Sequence, residues 1–409
     1  MAGTTHNHTN YEGRLAFIQQ LLHNKSRFQE DASIVPIQYD PECPFKYNNS
    51  VYRVSLPAPL PLPLTPDHKS RETAGANDDG SLQPGCVAIP PGTKDFIIRL
   101  TNAQAEGQTL ASFDPHVVPS VYGWGSAAGN AGTAQGWILQ DFMPGTSLDE
   151  IFRDMSHEEK AGAFAQMAAL LKALQDYQLP QNLTFGGVTF DGKGQVLSTA
   201  MTSVGAGPWS SYEDSFKSRL KVALQKADAD SHIQGWRANG IRDSKEEKTI
   251  VHADFSLSNL LYNPTTRRMT AVLDYDFACI LHPSYEFLRS FDGAGGQFRG
   301  WSGDKDIEEL ALREAKLHEF PSPLPDSTED GVQWEDAKIW EDALEEAGVE
   351  RPRTITGIDK VADVDAILRM ILPWRLDNED ILRMQSEVIV KYRAQCEKQL
   401  GEMLERLGF

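Results

Sequence analysis

Cysteine is scarce: four in 409 residues. Cys43, Cys86, Cys279 and Cys396 stand far apart, with no CxxC pair and no histidines at metal-binding spacing. That excludes a disulfide framework and a thiolate zinc site, and predicts reduced thiols. Positive charge is also in deficit, with 39 Lys and Arg against 58 Asp and Glu and a net charge of −19. The chain therefore offers no basic face for nucleic acid or an anionic membrane, and neither is expected as a partner. No run of about 18 apolar residues occurs, so no segment is expected to span a bilayer. The opening stretch MAGTTHNHTNYEGR has no apolar signal core. A cytoplasmic location is the expectation. The sequence carries no signal of oligomeric state.

The chain is long enough for two domains or lobes. Tyr11–His23 carries Leu15, Ile18, Leu21 and Leu22 at helical spacing. Strand patterns follow at Lys46–Leu56, Phe96–Leu100, Val117–Gly125 and Gly136–Gly145, so the first part predicts a small antiparallel sheet. The first two of these strands are separated by Pro57–Asp95, rich in Pro, Gly, Asp and Ser, which predicts a long mobile insertion. Beyond Gly145 the pattern turns helical. Ser156 and Glu159 form a candidate capping box ahead of Phe164, Met167, Ala168, Leu171 and Leu174. A further helix is predicted over 212–229, and most of the chain after Ile307 reads as helix.

One stretch concentrates polar chemistry between apolar runs: "IVHADFSLSNLLYN", Ile250–Asn263. Leu260–Tyr262 and Met269–Leu273 predict a hairpin about the Asn-Pro turn at 263–264. Asn259 just precedes its first strand and Asp274 just follows its second, while Asp254 arrives from the loop before. The pattern thus gathers an amide and two carboxylates at one sheet end. Converging carboxylates need a cation between them, and an oxygen-only donor set suits Mg²⁺. Mg²⁺ so held completes its shell with water and phosphate oxygens, which is the chemistry of phosphoryl transfer. The alternative is a polar turn in which Asp and Asn cap backbone groups.

"HADFSLSN" followed by "VLDYDFA" resembles the catalytic loop and metal-binding Asp of the aminoglycoside phosphotransferase family, and its fungal members in particular. The resemblance implies an α+β, protein-kinase-like fold, with a small β-rich lobe over residues 1–139 and a large, mostly helical lobe over 140–409. It implies an ATP- and Mg²⁺-dependent kinase that phosphorylates a hydroxyl of a small molecule. By motif position Asp254 is the catalytic Asp, and Asn259 and Asp274 are metal ligands. His252 is the structural histidine behind Asp254, and Asp276 either ligates or orients the loop. Glu286, in "HPSYEFLRSF", is expected to anchor its helix. "GWILQDFMPGTSLDEIF" is similar to the strand, hinge and first large-lobe helix, which makes Asp141, Phe142 and Met143 the expected adenine-binding backbone.

The sequence departs from the family pattern in the small lobe. Where such enzymes carry a lysine on the third strand to hold ATP phosphates, "DFIIRL" offers Arg99. The helix that would supply its glutamate partner is short, with Glu106 the one acid before Asp114. "KYNNS" lacks the glycines of a phosphate clamp, leaving Asn49 and Ser50 to cover the nucleotide. A pseudokinase, a binding or regulatory module without turnover, is therefore the second reading. A protein kinase is disfavoured because no DFG, APE or activation loop is present. The helical region after Ile307 should wall the acceptor. Its acidic runs, with Trp334, Trp340 and Trp374, would suit an amine-bearing or aromatic acceptor.

Overall fold

The computed structural model describes residues 10–24, 32–37, 49–60, 82–83, 85–101, 117–125, 136–191, 195–229, 247–291, 293, 295–301, 307–327, 331–371 and 386–406. The chain divides into two compact units. The first holds 1–144 with 190–195 and 271–276; the second holds 145–189, 196–270 and 277–409. The short segment 271–276, which carries Asp274 and Asp276, thus belongs with the N-terminal sheet rather than with the residues on either side of it.

The first unit begins with helix α1 (Tyr11–Asn24). Its sheet has strands β1 (Ser33–Ile37), β2 (Asn49–Ser55), β3 (Asp95–Thr101), β4 (Val121–Gly125) and β5 (Trp137–Asp141), in the order β1-β2-β3-β5-β4 and antiparallel throughout. The two-residue period of a strand sorts β3 by face. Phe96, Ile98 and Leu100 are buried with Tyr52, Val54 and Leu139, and Ile18 and Leu22 of α1 pack on this core. Burying each such side chain stabilises by about 1.5–3 kcal/mol. Arg99 lies at the alternate position, so its side chain leaves the sheet on the other face. Strand β1 carries Pro36 and was not expected. It sits at the sheet edge, where a residue without an N–H is tolerated.

Of the stretch Pro57–Asp95, expected to be a mobile insertion, the described residues include several that are docked on the first unit's sheet. At its two ends Leu60 N–H donates to the Thr93 carbonyl at 2.9 Å, and Gly92 N–H to the Leu60 carbonyl at 2.9 Å. Leu60 and Ile89 pack against the sheet core. Val87 N–H reaches the Val121 carbonyl at 2.9 Å, and the Gln83 amide exchanges hydrogen bonds with the Trp124 backbone at 3.0 and 3.1 Å. Proline lowers the entropy lost on ordering, so a Pro-rich stretch with a few well-placed apolar residues can dock.

The second unit starts with β6 (Thr146–Ser147), α2 (Leu148–Phe152) and α3 (His157–Asp176). The capping box on α3 is present: Ser156 Oγ accepts from Glu159 N–H at 3.3 Å, and Glu159 Oε2 accepts from Ser156 N–H at 3.0 Å. Strands β7 (Gly186–Phe190) and β8 (Val196–Thr199), helix α4 (Tyr212–Ala229) and strand β9 (Thr249–Val251) follow. Then come β10 (Leu260–Asn263), β11 (Arg268–Val272), β12 (Cys279–Leu281) and α5 (Ser284–Arg289). The strands form two sheets, β8-β7-β12-β9 and β11-β10-β6. Helices α6 (Ile307–Leu317), α7 (Trp334–Glu346), α8 (Ile358–Ile371) and α9 (Ser386–Arg406) complete the unit. Among the described residues no helix is long and apolar enough to cross a membrane.

The turn into β6 needs glycine. Gly145 has φ +142°, and a Cβ there would lie 2.6 Å from Thr270 Oγ1 and 3.1 Å from the Leu261 side chain.

Candidate functional site

The polar stretch of the second unit is built on β9, whose three residues are all buried. It delivers His252, which is fully buried and meets the Phe255 ring edge to face at 5.8 Å. Packing is the role expected of it. Ala253 then takes φ +63°, a left-handed conformation costing an L-residue about 1–2 kcal/mol. Glu286 of α5, also fully buried, holds this turn. One carboxylate oxygen accepts from His252 N–H at 2.7 Å, the other from Ala253 N–H at 3.0 Å, and the Ser290 hydroxyl donates to it as well. Ser290 Oγ in turn accepts from Phe255 N–H at 2.9 Å. Glu286 therefore anchors the loop as well as its own helix, a role its place in "HPSYEFLRSF" did not reveal. Burial pushes its carboxyl up to about 7, against the hydrogen bonds from Ser290, His252 and Ala253.

Beyond the clamp the chain bends at Asp254. Ser256 N–H returns to the Asp254 carbonyl at 2.9 Å, and a single 3₁₀ turn, Leu257–Asn259, leads into β10. The Asn259 side-chain amide donates to the Asp254 carbonyl at 2.8 Å and to Asp254 Oδ2 at 2.9 Å. Both donations come from the amide nitrogen, so the remaining side-chain atom of Asn259 is an oxygen, an acceptor with no proton to give.

In the first unit the chain after β11 makes a second left-handed turn, at Asp274, with φ +61°. Val272 N–H donates to the Val117 carbonyl at 2.7 Å. Here Arg99 Nη2 donates to Asp274 Oδ1 at 3.1 Å and to Asp276 Oδ2 at 3.0 Å. The Asn49 side-chain amide donates to the same Asp276 oxygen. Arg99, Asp274 and Asp276 line a pocket with Val121, Ile138 and Tyr275. Burial raises the Asp276 carboxyl; Arg99 and Asn49 oppose this and the Asp274 charge adds to it, with a net upward shift. Among the described residues no three His, Cys, Asp or Glu side chains form a metal-binding cluster.

The other expected nucleotide contacts have local partners. Asp141 N–H is given to the Ser120 carbonyl at 2.9 Å, which commits that donor to the sheet. The Phe142 ring lies under the Arg53 guanidinium at 4.3 Å. Met143 follows in the segment leading to Gly145. Ser50 pairs with Leu100 in the β2–β3 ladder. Glu106 lies outside the described residues.

The aromatic residues expected near an acceptor are placed otherwise. Trp334 and Trp340 are buried core residues, and Trp340 packs on Phe164 and Phe291 at 5.4 and 5.1 Å. Trp374 lies outside the described residues. The acids of α7 are mostly paired: Asp336 with Lys160 at 2.9 Å, Glu341 with Arg351 at 2.7 Å, Glu345 with Arg351 at 3.1 Å and Asp342 with Lys338 at 2.5 Å. The two tryptophans thus serve the core, and most of the acids are neutralised by local counter-ions.

Residues 89–326 match the phosphotransferase enzyme family (APH). Acyl-CoA dehydrogenase family member 11 of Gallus gallus is 32% identical over 53 residues, 13% of this chain and 7% of that protein. The Rattus norvegicus protein is 34% identical over 61 residues, 15% of this chain and 8% of its own. The match thus spans under a tenth of these relatives' length. Among solved structures, a candidate aminoglycoside phosphotransferase from Ralstonia eutropha superposes with a TM-score of 0.48 at 14% identity, covering 96% of this chain and 98% of that one. A Plasmodium vivax ethanolamine kinase gives 0.41 at 11% identity, covering 95% and 88%.

Proposed function

Since the chain belongs to the phosphotransferase enzyme family, we propose that it transfers the γ-phosphate of ATP to a hydroxyl of a small molecule, with Mg²⁺. The observation that carries this reading is the Asn259 amide on Asp254. It holds the carboxylate by Oδ2, in a loop whose backbone Glu286 clamps on the other side. A base so oriented can take a proton from a hydroxyl about 3 Å away, directly or through one water. In the proposed reaction the acceptor oxygen bonds to the γ-phosphorus and its proton goes to Asp254. The bond from that phosphorus to the β–γ bridging oxygen breaks, and ADP leaves.

Each unit taken by itself offers oxygen donors of the kind a hard divalent cation takes. Asp274 and Asp276 already converge on one positive charge, that of Arg99, and Asn259 keeps an oxygen beyond its amide nitrogen. We assign Asn259 and Asp274 as the ligands, a set with only oxygen donors that suits Mg²⁺ shared with phosphate. Bound there, Mg²⁺ would neutralise charge on the phosphates. Arg99 would add a second positive charge beside them, and the backbone of Asp141–Met143 would face the adenine.

One observation favours the second reading, a nucleotide-binding module without turnover: the Arg99 guanidinium is engaged by both carboxylates at once. Isothermal titration with Mg·ATP separates the two when combined with release of ADP in the presence of a pooled metabolite extract. Binding with acceptor-dependent ADP formation supports the kinase. Binding with no ADP formation across the extract supports the module, and no binding removes both.

A further inference from the structure

Two carboxylates of the segment 271–276 hold Arg99 in place. Asp276 is tied twice, by Arg99 Nη2 at 3.0 Å and by the Asn49 amide, so it bridges the beginning of β2 and the middle of β3. Asp274 has one of these ties, to Arg99 at 3.1 Å, and its side chain is the more open of the two, 39% exposed against 23%. The Arg99 side chain is only 13% exposed, and its Nε is buried with no hydrogen-bond partner. A guanidinium buried in this way cannot swing out to water without losing most of its packing. It can only be shared among the acids around it.

We propose that Asp276 is the permanent partner that positions Arg99, and that Arg99 competes with a divalent cation for Asp274. The inference rests on the nucleotide-dependent phosphotransferase reading. The division of labour follows from the geometry. One nitrogen, Nη2, serves both acids, so neither receives the two-pronged contact that makes an Arg–carboxylate pair strong. A cation arriving at Asp274 displaces one single-pronged hydrogen bond. Arg99 retains Asp276, with Asn49 keeping that carboxylate in place. Two acids and one guanidinium leave a net negative charge, which attracts the cation. Removing the Asp276 charge would leave Arg99 neutralising Asp274 alone.

The test is the Mg²⁺ concentration that half-saturates the nucleotide-free protein in isothermal titration, a readout independent of turnover and of any contact between Arg99 and phosphate. Asp276→Asn keeps the size and one acceptor oxygen but removes the charge. It should raise the required Mg²⁺ about tenfold, the low end of what losing an outer partner does to metal affinity. Adding Arg99→Gln to Asp276→Asn should bring the requirement back down, because the competitor is gone. If the double variant needs as much Mg²⁺ as Asp276→Asn, then Asp276 is itself a ligand and the proposal fails. If Asp276→Asn needs no more Mg²⁺ than the parent, Asp276 does not govern the competition and the proposal fails again. Arg99→Lys covers the case in which Asp276→Asn does not fold. A lysine brings a point charge without a fork and should lower the Mg²⁺ requirement several-fold; an unchanged or higher requirement overturns the competition. A parent protein that binds no nucleotide at any Mg²⁺ concentration would sink the functional reading itself, an outcome distinct from all of these.

Discussion

Glu286 accepts the backbone N–H of His252 at 2.7 Å, 34 residues away in sequence, and this bond places the loop before Asp254. The second carboxylate oxygen takes the next N–H, of Ala253, at 3.0 Å. Glutamine at 286 has one acceptor oxygen, so one of these buried N–H groups would face an amide NH₂. Each buried N–H left unpaired costs about 1–3 kcal/mol. Glu286→Gln should lower stability by an amount in that range, and lower turnover more than nucleotide affinity, since the loop carries the base. Denaturant unfolding and titration with nucleotide read the two effects separately.

The same carboxyl predicts a pH dependence. It titrates near 4.5 when unperturbed and at about 7 in the folded chain, because burial outweighs its three donors. Between these values the folded chain holds a proton that the unfolded chain has released. Stability from this group is therefore complete below about 4.5 and is lost as pH rises through about 7. Glutamine does not titrate. The melting-temperature advantage of the parent over Glu286→Gln should be larger at pH 5 than at pH 8. A constant gap would mean that Glu286 does not carry the shift.

Asp254→Asn and Asp274→Ala should fail differently. The first removes a proton acceptor but no nucleotide contact, so turnover should drop by at least about 100-fold, the span of general-base contributions, with Mg·ATP affinity within a few-fold of the parent. The second removes a proposed ligand, so Mg²⁺-dependent nucleotide binding should be lost. Full turnover in Asp254→Asn, or parental Mg·ATP affinity in Asp274→Ala, would remove the corresponding role.

Ser156→Ala deletes one half of the capping box on α3 and should cost about 1 kcal/mol. Its N–H bond to Glu159 survives, so a loss well below that figure in urea unfolding would show that Glu159 alone holds the helix start.

Replacing 57–95 by a short Gly-Ser turn should lower stability clearly. The exchange removes the Leu60–Thr93 and Leu60–Gly92 hydrogen bonds and the packing of Leu60 and Ile89 on the sheet. Ile89→Ala alone should cost roughly 1 kcal/mol, below the 2–5 typical of a fully buried site because Ile89 is only partly buried. A melting temperature equal to the parent's in the replaced chain would show that these contacts contribute nothing to stability.

Much of this architecture could be read from residue order alone. The periods of α1, α3 and α4, the alternation in β2 and β3, and the hairpin of β10 and β11 are local patterns, set by which neighbours a side chain meets within one turn or one pleat. The nearness of Asn259 to Asp254 is local in the same way: five residues and one tight turn separate them, and the Asn259 amide donates to Asp254 Oδ2. What the sequence could not display was pairing over distance. Strand β1, with Pro36, pairs at the sheet edge, and β12 is three residues long. Trp334 and Trp340, expected near an acceptor, are buried in the core. The partners of Arg99 lie 175 and 177 residues away, and those of Glu286 lie 33 and 34 residues back along the chain. Periodicity carries no information on such pairs. They exist because a buried charge must find a counter-charge or a donor, and only the folded chain determines which one is within reach.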